Sequence, residues 1–189
     1  MSTFVYFVRH AQSIFVEGQE RKRGLSGKGK LDALTVKEIL KVEAIDHFVS
    51  SPYERAIETI RPAANEFLND IRIEEDLRER AIGDFSPLLF NDAKYNIYSD
   101  KLLAFPNGES SVTAQERGVH VIERLLNDYK NQKIVIGTHG DIMTLILNYY
   151  DIRFDFNFWQ TTSMPDIYKL HFEKNKLIDV IRLWDIEST

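Results

Sequence analysis

The sequence predicts a three-layer α/β/α sandwich with a largely parallel central sheet. Two observations carry that reading. Short continuous apolar runs of strand length, Phe4-Val5-Tyr6-Phe7-Val8 and Ile134-Val135-Ile136, alternate with stretches of helical period, the pattern of strand–helix–strand units. The first run ends on Arg9-His10 and the second leads into Thr138-His139-Gly140, so each histidine falls where a buried strand stops. Ligands of open α/β sheets bind outside the carboxyl ends of the strands, and two histidines far apart in sequence are therefore expected in one crevice.

Residues 3–9 read as the first buried strand. Residues 27–42 follow as a helix, with Ser26 as N-cap and Leu31, Leu34, Ile39 and Leu40 as its apolar positions. Residues 47–50 form a short strand, and Pro52 opens a helical stretch to about residue 68 that Pro62 is expected to interrupt and kink. Residues 71–75 alternate apolar and polar side chains as a third strand, with Glu74, Glu75 and Asp76 on the strand or its solvent face. From Gly83 to Gly108 the pattern weakens, and Pro87, Asn91, Asn96 and Pro106 predict a loop-rich cap segment with short helices.

Residues 110–129 read as an amphipathic helix capped by Ser110, with Val112, Val119, Ile122, Leu125 and Leu126 toward the core. Residues 133–138 are a strand, 141–150 a buried helix, and 167–172 with 177–183 a hairpin at the sheet edge. Phe154, Phe156, Phe158 and Trp159 alternate like a strand or pack under a loop, with core packing rather than a ligand platform as their expected role. One domain spanning residues 1–189 is expected, without repeat or linker.

Composition narrows the function. A formal net charge of −5 disfavours a nucleic-acid or anionic-membrane partner, because either needs a broad basic surface. The chain has no cysteine, which excludes a thiolate nucleophile, a disulfide framework and cysteine-ligated metal. The apolar run near the N-terminus is too short for a signal or a membrane span, so a cytoplasmic location is expected.

If the strands at 3–9, 47–50 and 134–138 are neighbours, their ends deliver Arg9, His10, the 51–55 turn with Arg55, and His139 to one edge. Guanidinium forks suit phosphoryl oxygens, so Arg9 and Arg55 point to phosphate. A neutral imidazole attacks phosphorus without a separate base, the role read for His10, while His139 donates to the equatorial oxygens. The departing alkoxide needs an acid. Glu79, just past the third strand, is the candidate, with burial expected to raise its pKa.

Five ordered motifs sharpen this reading: Arg9-His10-Ala11-Gln12-Ser13, the 50–59 segment from Ser50-Ser51-Pro52 through Arg55-Ala56, Leu77-Arg78-Glu79-Arg80, Pro106-Asn107-Gly108-Glu109-Ser110, and Thr138-His139-Gly140. In that order the chain resembles the histidine phosphatase superfamily, phosphoglycerate mutase-like branch. Leu25-Ser26 with Gly29 resembles the segment that opens the family's first helix. The resemblance implies the corresponding fold and transient phosphorylation of His10. It also implies a phosphate pocket of Arg9, Arg55 and His139, proton donation by Glu79, and no metal or other cofactor.

Ala11 stands where the family has glycine, Gln12 replaces the commoner glutamate, and Val16 replaces a frequent asparagine. Ser13 keeps a hydroxyl, and Ser13 and Gln12 are assigned to phosphate binding. The mutases' substrate-carboxylate residues have no match, which favours hydrolysis over isomerisation. The function expected is a metal-independent, acid-type phosphomonoesterase acting on a phosphorylated small molecule or phosphopeptide. The alternatives are a cofactor-dependent phosphoglycerate mutase and a weakly catalytic module binding a phospholigand or a protein. A metal site from His10, His139 and Asp141 or Asp84 lacks the tight histidine–carboxylate spacing such sites show. The Arg21-Lys22-Arg23 run reads as a solvated loop, with a pocket rim as the alternative, and His47, His120 and His171 receive no chemistry.

Overall fold

The computed structural model describes residues 2–184. Six strands form one sheet in the order β3-β2-β4-β1-β5-β6: β1 Ser2–Arg9, β2 His47–Ser50, β3 Ile71–Ile73, β4 Lys133–Thr138, β5 Asp166–Glu173 and β6 Lys176–Arg182. The first four are parallel, and the terminal hairpin β5–β6 adds antiparallel to β1. Its turn places Lys174 and Asn175 at φ 47° and 63°, the pair of left-handed residues that matches strand twist in a two-residue hairpin.

Alternation along β1 assigns the two faces. Val5 and Phe7 pack with α4 (Ser111–Asp128) and α5 (Gly140–Tyr150), through Val119, Ile122, Leu125, Ile142 and Ile146. Tyr6 and Val8 pack on the other face with α1 (Gly27–Lys41) and α2 (Glu54–Glu66), through Val36, Leu40, Ile60 and Ala64. Helices on both faces explain why the central strands read as unbroken apolar runs. Two short helices complete the chain, α3 (Phe90–Ser99) in the cap segment and α6 (Phe156–Thr161) before β5. Among the described residues no helix is long and apolar enough to cross a membrane.

Four local expectations are corrected. On α1 the buried positions are Gly29, Asp32, Ala33, Val36 and Leu40, whereas Leu31 and Leu34 are exposed. The helix turns its small residues inward because a Cβ at Gly29 would sit 2.1 Å from the Gln12 carbonyl oxygen, so backbone fills the place a leucine would take. Pro62 does not interrupt α2; Ile60, Ala63 and Ala64, buried on either side of it, fix the helix against the sheet. Strand β3 ends at Ile73, and Glu75 and Asp76 lie in the 3₁₀ turn Glu75–Leu77. Of the aromatics at 154–159, Phe156, Phe158 and Trp159 lie in α6 rather than a strand, with Phe156 stacked on Trp159 and Phe158 set edge-on to Tyr168, while Phe154 and Phe158 pack against the core as expected.

Candidate active site

Strand register creates the site. Arg9 pairs with Thr138 and Ser50 with Gly137, so β1, β4 and β2 finish at one level. The chains leave that edge together, held by His10 N–H to the Thr138 carbonyl at 3.0 Å and Ser51 N–H to the Gly137 carbonyl at 2.9 Å. The rings of His10 and His139 consequently lie 5.3 Å apart, centroid to centroid. The α2 residue Arg55 is 2% exposed although it carries a charge. Thr59, one turn further, ties the loop to the helix by accepting the Ala11 N–H at 3.0 Å.

Each histidine is oriented by one partner. Nδ1 of His10 donates to the carbonyl of Ala11 at 2.8 Å, which leaves Nε2 unprotonated. Burial, reinforced by the Arg55, Arg9 and Arg23 charges, pushes the His10 pKa down to about 3. Burial and the same arginines also hold His139 well below the ordinary histidine value. Nε2 of His139 lies 2.7 Å from Ser51 Oγ. That hydroxyl oxygen also accepts the Tyr53 N–H at 3.3 Å; in the tautomer where the Ser51 hydroxyl donates to Nε2, Nδ1 of His139 is the donor.

The cations are fixed as firmly. Arg9 donates to the carbonyl of Thr162 at 3.1 Å and to its hydroxyl, and lies flat on the start of α5, where a Cβ at Gly140 would come within 3.0 Å of the guanidinium carbon. Arg55 donates to the Glu20 carbonyl at 2.6 Å and stacks on Tyr53, 4.8 Å from the ring centre. Burial lowers Arg55 to about 10, which keeps it cationic at neutral pH. Nε of Arg9, Nε of Arg55 and Nδ1 of His139 are buried nitrogens with no hydrogen-bond partner among the described residues. An anion rich in acceptor oxygens matches such a set.

Glu79 reaches the start of α5. Its Oε2 accepts the Asp141 N–H at 3.1 Å, and Oε1 accepts the Ile142 and Arg80 N–H groups at 3.0 and 2.9 Å. The expected burial is only partial: the side chain is half-buried and held by three backbone donors. Beneath it Asp141 is buried and occupied by Arg80 (3.0 Å), Lys94 and the Tyr98 hydroxyl (3.1 Å). Burial raises the Asp141 pKa, but Lys94 and Arg80 outweigh it and hold the group below the usual carboxylate value. Asp84 accepts from Asn107 at 2.7 Å. Among the described residues no cluster of histidine, aspartate and glutamate is arranged to hold a metal ion.

Two sequence assignments fall outside this cluster or at its margin. Gln12 is exposed and accepts the Ser26 hydroxyl at 2.7 Å, so its side chain serves the cap of α1. Ser13 Oγ accepts from Arg23 at 2.5 Å. Arg23 itself corrects the solvated-loop reading of the basic run: it is largely buried and close enough to lower the protonation of His10, Arg55 and His139. Arg21 remains exposed, paired with Glu75 and set over Tyr53. Tyr53, edge-on to His139, and Thr162, which holds Arg9, also belong to the site; Tyr53 stands in the 50–59 motif without an assigned role, and Thr162 carries no sequence signal beyond its polar class.

A model of the histidine phosphatase superfamily (branch 1) matches residues 5–182. This chain belongs to that superfamily. A curated relative, phosphoglycerate mutase-like protein 4 of Arabidopsis thaliana, is 28% identical over 173 residues, 85% of this chain and 69% of that protein. Among solved structures, a mycobacterial glucosyl-3-phosphoglycerate phosphatase superposes with a TM-score of 0.74 at 19% identity, covering 96% of this chain and 97% of that one. A putative alpha-ribazole-5'-P phosphatase of Escherichia coli gives 0.76 at 19% identity, covering 97% and 96%. These likenesses establish the histidine phosphatase fold, a central sheet of six strands flanked by helices.

Proposed function

We propose that the protein is a phosphomonoesterase that hydrolyses a phosphorylated small molecule or phosphopeptide through a phosphohistidine at His10. The observation that carries this reading is the His10 hydrogen bond to Ala11: it leaves Nε2 with a free lone pair in a ring that burial and three guanidiniums keep neutral. The Nε2 lone pair attacks phosphorus while Arg9, Arg55 and Nδ1–H of His139 neutralise the equatorial oxygens. The P–O ester bond breaks, and Glu79 gives its proton to the departing oxygen. Water then attacks the phosphoryl group and returns a proton to Glu79. The P–N bond breaks and His10 regains its lone pair.

Glu79 suits both halves of this cycle. Among the described residues its Oε2 accepts one hydrogen bond, from Asp141 N–H, and keeps a position for the exchangeable proton. The Ser13 hydroxyl, held by Arg23, is assigned a supporting contact to the phosphoryl group, and no metal is invoked at any step. Solved structures of this fold include a glucosyl-3-phosphoglycerate phosphatase, a phosphoserine phosphatase and a putative alpha-ribazole-5'-P phosphatase, which supports a small phosphomonoester as the substrate.

A panel of phosphomonoesters, assayed for phosphate release by wild type and His10→Ala, tests the assignment. Release by wild type with an acid-labile phosphoryl adduct on His10, both absent from His10→Ala, is the expected outcome. Equal turnover by the two proteins would overturn it.

A further inference from the structure

The loop between Ser13 and α1 carries a third buried guanidinium and an acidic partner for it. Arg23 and Glu20 lie within one tight turn: the Arg23 and Lys22 N–H groups both donate to the Gln19 carbonyl, at 2.8 and 3.0 Å, and Gln19 N–H donates to Val16. The turn is fastened at both flanks. Glu54 N–H donates to the Arg21 carbonyl at 2.9 Å, and the Leu25 N–H reaches Glu58 at 2.6 Å. Arg23 is therefore presented by a fixed backbone, and its NH1 bond to Ser13 Oγ aims it along the loop that follows His10.

Glu20 is held differently. Its Oε2 lies 3.3 Å from Arg23 NH2 and 3.4 Å from Arg55 NH2, so one carboxylate oxygen bridges two site cations. The side chain is 50% exposed, while Arg55 is fixed through the Glu20 backbone carbonyl. The carboxylate can thus swing into solvent without releasing the loop. Ion pairs of such exposure are weak, and a phosphoryl dianion carries twice the charge of the carboxylate and more acceptor oxygens.

We propose that Arg23 is a third guanidinium for the substrate's phosphoryl group, and that the Glu20 carboxylate is its resident competitor, displaced when the phosphoryl group enters between Arg23 and Arg55. The phosphomonoesterase reading enters here only in naming the anion. Arg23 also accounts for the loss of a polar side chain at Val16, since a cation from the far end of the same loop now faces the site.

Calorimetric titration with inorganic phosphate tests this without turnover. Arg23→Gln is expected to weaken phosphate roughly tenfold to a hundredfold, the loss of charge-assisted hydrogen bonds. Glu20→Gln is expected to tighten it roughly two- to fivefold by removing the competitor. Opposite signs are the signature, because a merely structural loop would lose affinity in both. If Arg23→Gln does not fold, Arg23→Lys keeps the charge without the fork and is expected to weaken phosphate by roughly two- to fivefold.

Unchanged affinity on substituting Arg23, or unchanged or weaker affinity in Glu20→Gln, would overturn the assignment. Opposite shifts in a protein that hydrolyses no ester would uphold the Arg23 and Glu20 roles and sink the hydrolase reading. Turnover that depends on His10, with a phosphate affinity indifferent to both loop residues, would do the reverse.

Discussion

Ser51 Oγ stands 2.7 Å from Nε2 of His139, a contact that leaves Nδ1 as the donor nitrogen when the hydroxyl donates to the ring. The hydroxyl comes from the end of β2 and the imidazole from the end of β4, so a neighbouring strand sets the tautomer. Ser51→Ala removes the tether and lets the ring adopt the other tautomer. Turnover of a phosphomonoester is expected to fall roughly fivefold to tenfold, the worth of one buried hydrogen bond. Steady-state kinetics with unfolding monitored in parallel checks it; equal kcat/KM values would show that His139 is oriented by packing alone.

The neutral histidines make stability depend on pH in a definite direction. Unfolded His10 titrates near its ordinary value, whereas the folded ring protonates only near pH 3. Between those values the unfolded chain binds the extra proton, so its contribution to stability is complete above about pH 6.5 and is lost as pH falls toward the folded value. His139 is shifted the same way and adds to the slope. Each such group contributes up to about 1.4 kcal/mol per pH unit in that window. Urea unfolding at stepped pH is expected to show this loss, with a shallower slope for His10→Asn.

Much of this architecture was legible because its physics is local or periodic. Phe4 to Val8 read as a strand buried on both faces, Ser110 caps α4 as its position implies, and Arg9-His10 and His139 meet at one sheet edge. What stayed hidden depends on approaches between distant segments. Leu31 and Leu34 carry the hydrophobic signal of α1, yet the Gln12 carbonyl decides which face turns inward. Arg23 sits in a basic run like any solvated loop, and only the fastening of that loop to α2 brings it to the histidines. Nothing in the composition around Glu79 announces three backbone donors from α5 and its own neighbour.

Gly29 offers a test of that packing. A Cβ there would meet the Gln12 carbonyl oxygen at 2.1 Å, a contact with backbone that no rotamer relieves. Gly29→Ala must push α1 off the loop following His10. The expected cost is about 1–3 kcal/mol of stability, with reduced turnover because the same loop carries the nucleophile. Denaturant unfolding of the variant checks the cost, and wild-type stability would show that the loop yields freely.

Buried Asp141 compensates two cations at once, Arg80 from the chain after β3 and Lys94 from α3 in the cap segment. Asp141→Leu leaves both charges buried without a counter-ion. A loss of about 3–5 kcal/mol is expected, because the desolvation cost of the cations remains when their partner is removed. Lys94→Met removes only one cation and is expected to do less damage. Thermal unfolding of the two variants checks the order, and equal or reversed losses would show that leaving Arg80 and Lys94 without a counter-ion costs no more than losing Lys94.

Glu79→Gln separates proton donation from structure. The amide oxygen can still accept from Arg80 and Ile142, but the amide nitrogen then faces the Asp141 N–H across a distance now 3.1 Å, donor against donor. That mismatch is expected to cost about 1–3 kcal/mol of stability. If Glu79 is the acid, catalysis suffers according to the leaving group. Alkyl phosphates, whose alkoxide must be protonated as it leaves, are expected to lose roughly 10²- to 10⁴-fold in kcat. Aryl phosphates leave as stabilised phenolates and lose much less at the first step. Comparing the two substrate classes on one folded variant distinguishes a chemical defect from a general one, because distortion of the site would slow both alike.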